Sequence, residues 1–369
     1  MDFSRILYRK KNQVIAIFAL FLAFLSINTF AFQANESVQE AVVELEDHHA
    51  SKEEKFDPTV MILEHIGDGH SWHLWGHTSI PLPVILYTPQ GLEVFSSAKL
   101  MDAHHEPVAY QGKYHKYFNE KEHIKVVDAN GEIDEAASAK IMDFSITKNV
   151  AAMFFASALL LLVFGSVASS YKKRVGKAPK GLQSWLEPII VFVRDDIARP
   201  NIGYKYEKFM PLLLTIFFFI WFNNLLGLVP IFPGSANVTG NIAVTMVLSA
   251  VVLVVVNVNG NKYYWGHIFK PDVPFWLLPI MWVVEIIGVF SKPFALMVRL
   301  FANITAGHII VLSLVSLIFI FKTVAIAPVS VAFVLFMDVL ELLVAFLQAF
   351  IFTMLTALFI GTAVEEHHH

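Results

Sequence analysis

The two longest apolar segments of the chain, residues 275–321 and 330–364, contain side chains that can ionise or form hydrogen bonds. These are Glu285, Arg299, Asn303, His308, Asp338, Glu341 and Gln348. A charged side chain at the centre of a bilayer costs about 2.5–3.5 kcal/mol on insertion scales, and more in some estimates. Because of that cost, polar groups at membrane depth are by default hypotheses for a functional site. The chemistry of the chain is therefore predicted to lie in these two segments.

Helical spacing places three of these residues on one face of segment 275–321. Glu285 and Arg299 are 14 positions apart, which is nearly four turns of about 3.6 residues, and Asn303 lies one turn further on. His308 follows Arg299 by nine positions, so it faces the opposite side about 13 Å along the axis. The segment thus presents an Arg/Asn stripe on one face and an imidazole on the other.

The second segment carries a stripe of acid and amide groups. Glu341 and Gln348 are seven positions apart and align, and Asp338 precedes Glu341 by three positions and flanks it. A neutral histidine and a carboxylic acid in a water-lined crevice can relay protons. Arg299 cannot, because the pKa of arginine is too high for it to release a proton, so it can act only as a fixed charge. Since no acid lies within two helical turns of Arg299, we expect its partner to be an anion on another chain.

Purely structural pairing is the alternative explanation for these groups. Interior Arg, Glu and His side chains can pair with one another simply to hold helices together. That alternative suits any single residue better than it suits the whole set on two overlong helices. Lys292 is assigned to a structural bend with Pro293, and a role for Asp338 is left open.

The composition predicts a membrane protein as the framework for these residues. The chain has 369 residues, of which 56% are hydrophobic and only 16% are charged, and its mean hydropathy is +0.58. These values exclude an ordinary soluble domain and predict a polytopic membrane protein. The sequence has no cysteine, which excludes disulfides, thiolate metal sites and a cysteine nucleophile. The net charge of −4 is too small to argue for a nucleic-acid partner.

The predicted fold class is an all-α polytopic membrane protein with five transmembrane helices and one interfacial amphipathic helix. The predicted spans are residues 150–170, 209–230, 242–258, 275–321 and 330–364, and the interfacial helix covers 182–197. Segment 275–321 would be about 70 Å long as one helix, against a hydrocarbon core of about 30 Å. The last two helices must therefore be tilted, bent or broken, and Pro279, Gly288 and Pro293 are available for a bend.

Charge and composition outside the spans predict the domain organisation. Residues 1–34 have a basic start, an apolar core and a small-residue cleavage site, which is typical of a signal peptide, with an uncleaved helix as the alternative. Residues 35–143 are predicted to form a small extracytoplasmic domain with two strands around a Pro-Gln-Gly turn. Lys and Arg cluster at 172–180, which predicts that this loop and the C-terminus are cytoplasmic. The membrane domain is assigned to residues 144–366.

The domain at 35–143 holds ten of the 15 histidines of the chain. Among them, the spacing of His73 and His77 would suit zinc on a helix, but no further ligand pattern follows. No metal site and no cofactor are therefore predicted. Proton collection near a channel mouth is a second interpretation, and ordinary solvated or packed histidines are the favoured one. The terminal His367–His369 are either native or the remains of a tag.

Three motifs in the membrane domain resemble subunit a of F-type ATP synthases. Residues 291–308 read SKPFALMVRLFANITAGH, residues 347–355 read LQAFIFTML, and residues 223–230 read NNLLGLVP. Together the resemblance covers about residues 208–366. The probable signal and the long N-terminal domain depart from many family members and are similar to the extensions of Bacteroidetes-type relatives.

The resemblance implies a role for each candidate residue. Arg299 corresponds to the stator arginine that faces a rotor ring of c subunits, and Asn303 and Gln348 correspond to polar neighbours along the proton path. Glu285 corresponds to the acid of the cytoplasmic outlet half-channel. His308 and Glu341 correspond to the coupled imidazole and acid of the inlet half-channel, in an order that is exchanged relative to many bacterial relatives.

The resemblance also implies partners and a location. The partners would be the c ring, the b-subunit peripheral stalk and the lipid bilayer, and the chain would cross a bacterial inner membrane with its N-terminal domain in the periplasm. It would be a non-catalytic proton-channel subunit, and since it has no Gly-rich phosphate loop it would bind no nucleotide itself. The choice between H⁺ and Na⁺ would lie mainly in the c-subunit site.

Two other classes of function compete with this interpretation. A stand-alone ion channel or secondary transporter would predict internal repeats and a midplane site within one chain, and no convincing repeat is present. An intramembrane protease would need paired acids or an activated nucleophile, of which Asp338 and Glu341 on one helix are a weak version.

Overall fold

The computed structural model describes residues 59, 62, 66–75, 78–102, 107–120, 122–128, 131–174, 177–229, 234, 236–269, 271, 273–321 and 326–365. The predicted signal peptide at 1–34 and the terminal histidines lie outside the described residues. The same holds for His77 and for the side chain of His73, so the zinc spacing is not tested.

The N-terminal domain, defined here as described residues 66–147, is built from short antiparallel strands. They are β1 Ser71–Trp75, β2 Thr78–Pro81, β3 Pro83–Thr88, β4 Gly91–Ser96, β5 Tyr110–Gln111, β6 Lys116–Glu120, β7 His123–Val127 and β8 Met142–Asp143. Strands β1 and β2 form a hairpin, and the others form two three-stranded sheets with orders β4-β3-β8 and β5-β6-β7. A short helix, α1, covers Glu135–Ser138.

The predicted hairpin around Pro-Gln-Gly is confirmed. Strands β3 and β4 pair from Pro83 with Ser96 to Thr88 with Gly91. Gly91 has a φ of 139°, a conformation that side-chain-bearing residues rarely adopt, which explains glycine at the end of this tight turn. Alternate side chains of both strands point inward, and they join the second sheet in one core of Val84, Leu86, Phe95, Leu100, Tyr117 and Val126.

Helices make up most of the described residues after the N-terminal domain. They are α2 Lys148–Lys173, α3 Leu182–Phe192, α4 Arg199–Ile202, α5 Tyr206–Leu228, α6 Ile242–Val258, α7 Lys262–Phe269, α8 Leu278–Phe321 and α9 Ala327–Val364. A π-helical turn at Val193–Ala198 joins α3 to α4, and a 3₁₀ turn at Gly203–Lys205 joins α4 to α5. Within the described residues, four helical units are long and apolar enough to cross a membrane, or up to five if α6 and α7, bent by 101°, form one span.

The segment predicted as a separate interfacial helix packs differently from that expectation. Helices α3 to α5 form one helical unit over Leu182–Leu228. The apolar stripe at Leu186, Ile190, Val193 and Ile197 is buried in the main core together with residues of α5 and α9. Its amphipathic pattern is therefore satisfied largely by protein, because the helix lies against the bundle. Trp185, on the other side, remains 74% exposed.

The two overlong segments are continuous helices. Helix α8 runs unbroken for 44 residues and α9 for 38 residues, so the predicted option of a break is wrong for both. Pro279 stands in the first turn of α8, where its missing N–H costs nothing, and Pro293 lies within the helix without ending it. Only 6% of the apolar window of α8 and 11% of that of α9 is buried, against 61% for Leu182–Leu228. Most of these two apolar windows therefore faces outward from this chain, whereas the C-terminal half of α9 is packed in the core.

Candidate functional site

Arg299 lies on an exposed face of α8. Its neighbours Leu296 and Leu300, about 60° and 100° around the helix from it, are both 1% exposed and anchor the adjoining flank of the helix in the core. Both Arg299 and Asn303 are exposed, as their shared helical stripe predicts. No acid among the described residues forms an ion pair with Arg299. The chain thus presents an uncompensated cation on an apolar outer surface.

Glu341 reaches α8 from α9 at a point where α8 has no side chain. A Cβ atom on Gly307 would stand 2.5 Å from Oε1 of Glu341, which is closer than real contacts allow. Glycine at position 307 therefore makes room for the carboxylate. Oε1 of Glu341 is buried and has no hydrogen-bond partner among the described residues. A buried acid oxygen without a partner is costly, and it is a place where a water molecule or a proton would be favourable.

His308 lies next to this point and turns towards α5. Its Nε2 is 3.9 Å from the position of a Cβ on Gly227, near the end of α5. Two consecutive residues of α8 are thus involved. Gly307 contacts Glu341 of α9, and His308 directs its imidazole towards α5. The structure therefore places the predicted acid and imidazole beside consecutive positions of α8.

The described residues between α5 and α6, namely 229, 234 and 236–241 and here called the α5–α6 turn, adjoin the same level. Asn224 is 3% exposed and donates its Nδ2–H to the carbonyl oxygen of Ala345, at 3.2 Å. Oδ1 of Asn224 accepts from the hydroxyl of Thr239 at 2.5 Å. The hydroxyl of Thr305 donates to the carbonyl oxygen of Gly240 at 3.4 Å. These bonds tie the turn directly to α8 and, through Asn224, to α9, about one helical turn from His308 and Glu341.

Glu285 lies near the other end of α8 and has a histidine partner. Its side chain is 24% exposed, and its Oε1 is 3.5 Å from Nδ1 of His267 on α7. The side chain of His267 is 70% exposed, so the imidazole next to the acid is open to solvent. Helix α7 is held beside α8 by the Nε1–H of Trp282, which donates to the carbonyl oxygen of Phe269 at 2.7 Å.

The remaining predicted residues are not all on the same surface. Gln348 is 4% exposed, whereas Asp338, ten positions earlier on α9, is exposed. The ammonium of Lys292 lies 5.7 Å from the ring centre of Phe359, a cation–π contact with α9 in an unbroken part of α8. In the described part of the chain, no group of three or more His, Asp or Glu side chains could hold a metal ion.

Sequence reasoning missed several residues that this geometry brings to the fore. Gly307 and Gly227 have no chemistry of their own, and only a folded structure shows what their missing side chains admit. Asn224 stands in the NNLLGLVP motif, which could have suggested a structural role. His267 lies in the short helix α7, and no sequence pattern connects it to Glu285.

Comparison with known proteins agrees with this geometry. The family model described as ATP synthase A chain matches residues 150–361, which include every candidate site residue. This chain belongs to that family. It is 51% identical over 232 residues to ATP synthase subunit a of Chloroherpeton thalassium, covering 62% of this chain and 69% of that one.

Two further subunits a extend the comparison. Identity is 48% over 235 residues with that of Chlorobium phaeobacteroides strain BS1, covering 62% of this chain and 68% of the relative. It is 44% over 236 residues with that of Myxococcus xanthus, covering 62% and 76%. Residues 61–144 match a second family, described only as a domain of unknown function. The predicted membership of the subunit a family is thereby confirmed, and the chain is a multi-pass membrane protein.

Proposed function

We propose that this chain is the proton-translocating stator subunit of an F-type ATP synthase and couples proton flow to rotation of a c ring. It performs no covalent chemistry and binds no nucleotide. Two half-channels, an inlet at His308 and Glu341 and an outlet at Glu285, protonate and deprotonate the ring carboxylates. Membership of the ATP synthase A chain family supports this proposal, and no feature favours a stand-alone channel or transporter.

The observation that carries the proposal is the exposure of Arg299 without an acid. A guanidinium on an apolar surface is expensive unless an anion meets it. Since no described side chain of this chain supplies that anion, a carboxylate of a neighbouring subunit is the fitting partner. The outward-facing lengths of α8 and α9 give such a subunit a long surface to lie against.

The inlet follows from the environment of Glu341. Its buried Oε1 has no hydrogen-bond partner among the described residues. Binding of a proton or a water molecule to this oxygen therefore does not have to break an internal hydrogen bond. The imidazole of His308 stands on the next residue of α8 after the glycine that Glu341 contacts. An acid and an imidazole that adjoin consecutive positions of α8 can form a two-step relay towards the ring carboxylate.

The outlet follows from the gradient of exposure at Glu285. The ring carboxylate releases its proton to Glu285, and the more exposed His267 passes it to solvent. The re-ionised carboxylate is then attracted to Arg299, which blocks a direct route between outlet and inlet because it releases no proton. Each proton that crosses 100 mV supplies about 2.3 kcal/mol, so several must be used for each ATP.

The proposal includes an orientation and partners. The basic cluster at 172–180 supports a cytoplasmic loop after α2, which puts the N-terminal domain in the periplasm and the end of α9 in the cytoplasm of a bacterial inner membrane. Besides the c ring and the lipid, a b-subunit peripheral stalk is needed to keep this chain from turning with the ring.

Substitution of Arg299 tests the function. Membranes that carry Arg299→Ala should lose coupled ATP synthesis while passive proton leak persists or rises. Lys292→Ala is the matched control, because it removes a cation seven residues earlier on the same helical face but leaves Arg299 in place. Normal synthesis rates in Arg299→Ala membranes, or an equal loss in Lys292→Ala membranes, would remove Arg299 from the role assigned to it. Purification of the intact complex without a c ring would favour the stand-alone channel instead.

A further inference from the structure

A short segment of the N-terminal domain, residues 66–75, is attached to the membrane part of the chain at two points. The first is Trp72, which is 4% exposed and belongs to a core cluster with residues of α2, α5, α6 and the α5–α6 turn. Members of that cluster include Met153, Phe219, Ala236, Val238 and Val244. The Nε1–H of Trp72 donates to the carbonyl oxygen of Gly234 in the turn, at 3.3 Å. The domain therefore packs directly on this turn.

The second point of attachment is the beginning of α2. The first N–H groups of a helix have no partners within the helix, and the N-cap residue Thr147 makes no capping bond of its own. Asp68 replaces that cap: its carboxylate accepts from the N–H of Asn149 at 2.9 Å and from the hydroxyl of Thr147 at 2.8 Å. The carbonyl oxygen of Gly69 accepts from the N–H of Lys148 at 2.8 Å. The segment thus completes the end of a membrane helix.

A buried histidine between two carboxylates stiffens the segment from the domain side. His70 is 1% exposed; its Nδ1 lies 3.5 Å from Oε2 of Glu122 and its Nε2 lies 3.4 Å from Oδ2 of Asp143. Glu122 has a φ of 67°, a left-handed conformation that is unfavourable for a glutamate. Its carboxylate also accepts from the N–H of His70 at 2.9 Å, which helps to hold that conformation. Segment 66–75 is therefore fixed to both the domain and α2.

The α5–α6 turn connects this attachment with the inlet. The carbonyl oxygen of Ala236, in the cluster with Trp72, lies 3.3 Å from the position of a Cβ on Gly227. The same Cβ position on Gly227 is 3.9 Å from Nε2 of His308. Further along the turn, Thr239 and Gly240 are bonded to Asn224 and Thr305. A displacement of the turn would therefore alter its contacts with Gly227, Asn224 and Thr305, which lie near His308 and Glu341.

We infer that the N-terminal domain is a docked support that holds the α5–α6 turn in place over His308 and Glu341, so that proton uptake depends on its docking through Trp72. The inference rests on the proposed function, because it assigns the domain a part in proton uptake at the same site. It gives the domain a positioning role: the domain transfers no proton itself but fixes the walls of the inlet.

The test uses the full complex in membrane vesicles and measures docking and proton uptake separately. Since the chain has no native cysteine, a single cysteine reports on one position. Val238 is 2% exposed within the cluster, so Val238→Cys should be protected from a membrane-impermeant maleimide. Adding Trp72→Ala should expose it to the reagent. Trp72→Phe, which keeps the apolar ring and loses the N–H donor, should give an intermediate result and preserves folding if the alanine variant does not assemble.

Proton uptake is measured in the same vesicles as passive proton flow after removal of the catalytic head. Trp72→Ala should lower this flow by roughly tenfold, because a small misplacement of relay groups has effects of that order or larger. Tyr87→Ala is the matched control, since this aromatic residue of the same domain is 52% exposed and should change neither readout. Unaltered maleimide protection in both Trp72 variants, or full proton flow despite new labelling, would overturn the inference.

A Glu341→Gln variant separates this inference from the function on which it rests. If Glu341→Gln blocks proton flow and Trp72→Ala does not change it, only the supporting role of the domain is wrong. If Glu341→Gln leaves proton flow unchanged, the proposed inlet itself is wrong, whatever Trp72→Ala does.

Discussion

At the scale of single residues, apolar side chains and glycines determine the positions of the polar side chains. Leu296 and Leu300 hold one side of α8 in the core and leave Arg299 outside. Gly307 admits the carboxylate of Glu341, and Gly227 lies beside His308. Apolar and glycine neighbours thus position both functional groups. Leucines leave the guanidinium of Arg299 exposed, and Gly307 makes room for the carboxylate of Glu341.

The first prediction concerns Gly307. In Gly307→Ala the new methyl group would meet Oε1 of Glu341 at 2.5 Å, and the flexible end of the glutamate must move away. The fold should persist, whereas passive proton flow should fall by roughly tenfold. Gly288→Ala is the control on the same helix, because nothing lies within 4 Å of a Cβ there. Equal flow in the two variants would show that the position of this carboxylate is unimportant.

The second prediction concerns His267 at the outlet. Its removal in His267→Ala leaves Glu285 without the exposed imidazole that lies 3.5 Å away. We expect ATP synthesis to slow several-fold and a high concentration of imidazole buffer to restore it, since a mobile base can replace the missing relay. The control is His115→Ala in the N-terminal domain. A slow His267→Ala enzyme that imidazole does not rescue would point to a structural role instead.

At the scale of elements, local contacts with neighbouring helices support the unbroken course of α8 and α9. Proline inside α8 does not end the helix, since the neighbouring helices support it there through Leu296 and the Lys292–Phe359 contact. Near its C-terminal end, α9 lies against α4, and a Cβ on Gly361 would stand 1.9 Å from the carbonyl oxygen of Asn201. Backbone meets backbone there, so no side chain can yield.

The third prediction follows from that contact. Gly361→Ala should separate α9 from α4 and destabilise the chain by about 1–3 kcal/mol or more, as overpacking generally does. Thermal unfolding of the detergent-solubilised complex would measure the loss. Gly266→Ala in α7, with nothing within 4 Å of the new methyl group, should unfold at the unaltered temperature. A stable Gly361→Ala complex would mean that α4 and α9 can move apart freely.

At the scale of the whole molecule, the strand-containing N-terminal domain and the helical bundle are joined by a charged cluster at their boundary. Burial by itself would lower the pKa of His70, but Asp143 and then Glu122 outweigh it and raise that pKa to about 9. Burial opposes ionisation of Asp143 as well, yet His70 holds the pKa of this carboxyl below its usual value. Burial raises the pKa of the nearby Asp68, and the amine of Lys148 also faces the cluster. At neutral pH, therefore, His70 is a cation between two anions.

The fourth prediction is the pH dependence of domain docking. Because the folded pKa of His70 is raised, its contribution is complete below the unfolded value of about 6.5 and is lost as pH rises through about 9. Labelling of Val238→Cys, normalised to an exposed Tyr87→Cys, should therefore increase across that range. In a His70→Ala background the increase should disappear. A flat profile with His70 present would contradict the assigned charge state.

Much of the fold was predictable because membrane insertion imposes strong patterns. Long apolar runs located α2, α5, α8 and α9, and the Pro-Gln-Gly turn located the β3–β4 hairpin. The role of α3 was less predictable, since an amphipathic stripe can face either lipid or protein, and here it faces the core. The continuity of α8 was also open, because proline permits a break without requiring one.

The sequence alone determined which residue types stand in the long apolar segments: an arginine and an imidazole within one motif, and a few acids outside it. Their spacing along two helices fixed which of them share a face, because a helix has a constant period. Only the tertiary structure decided what each of them meets. The contact of Glu341 with Gly307, of His267 with Glu285 and of Trp72 with the α5–α6 turn joins residues far apart in the chain. Such contacts depend on packing between elements, which no local pattern encodes.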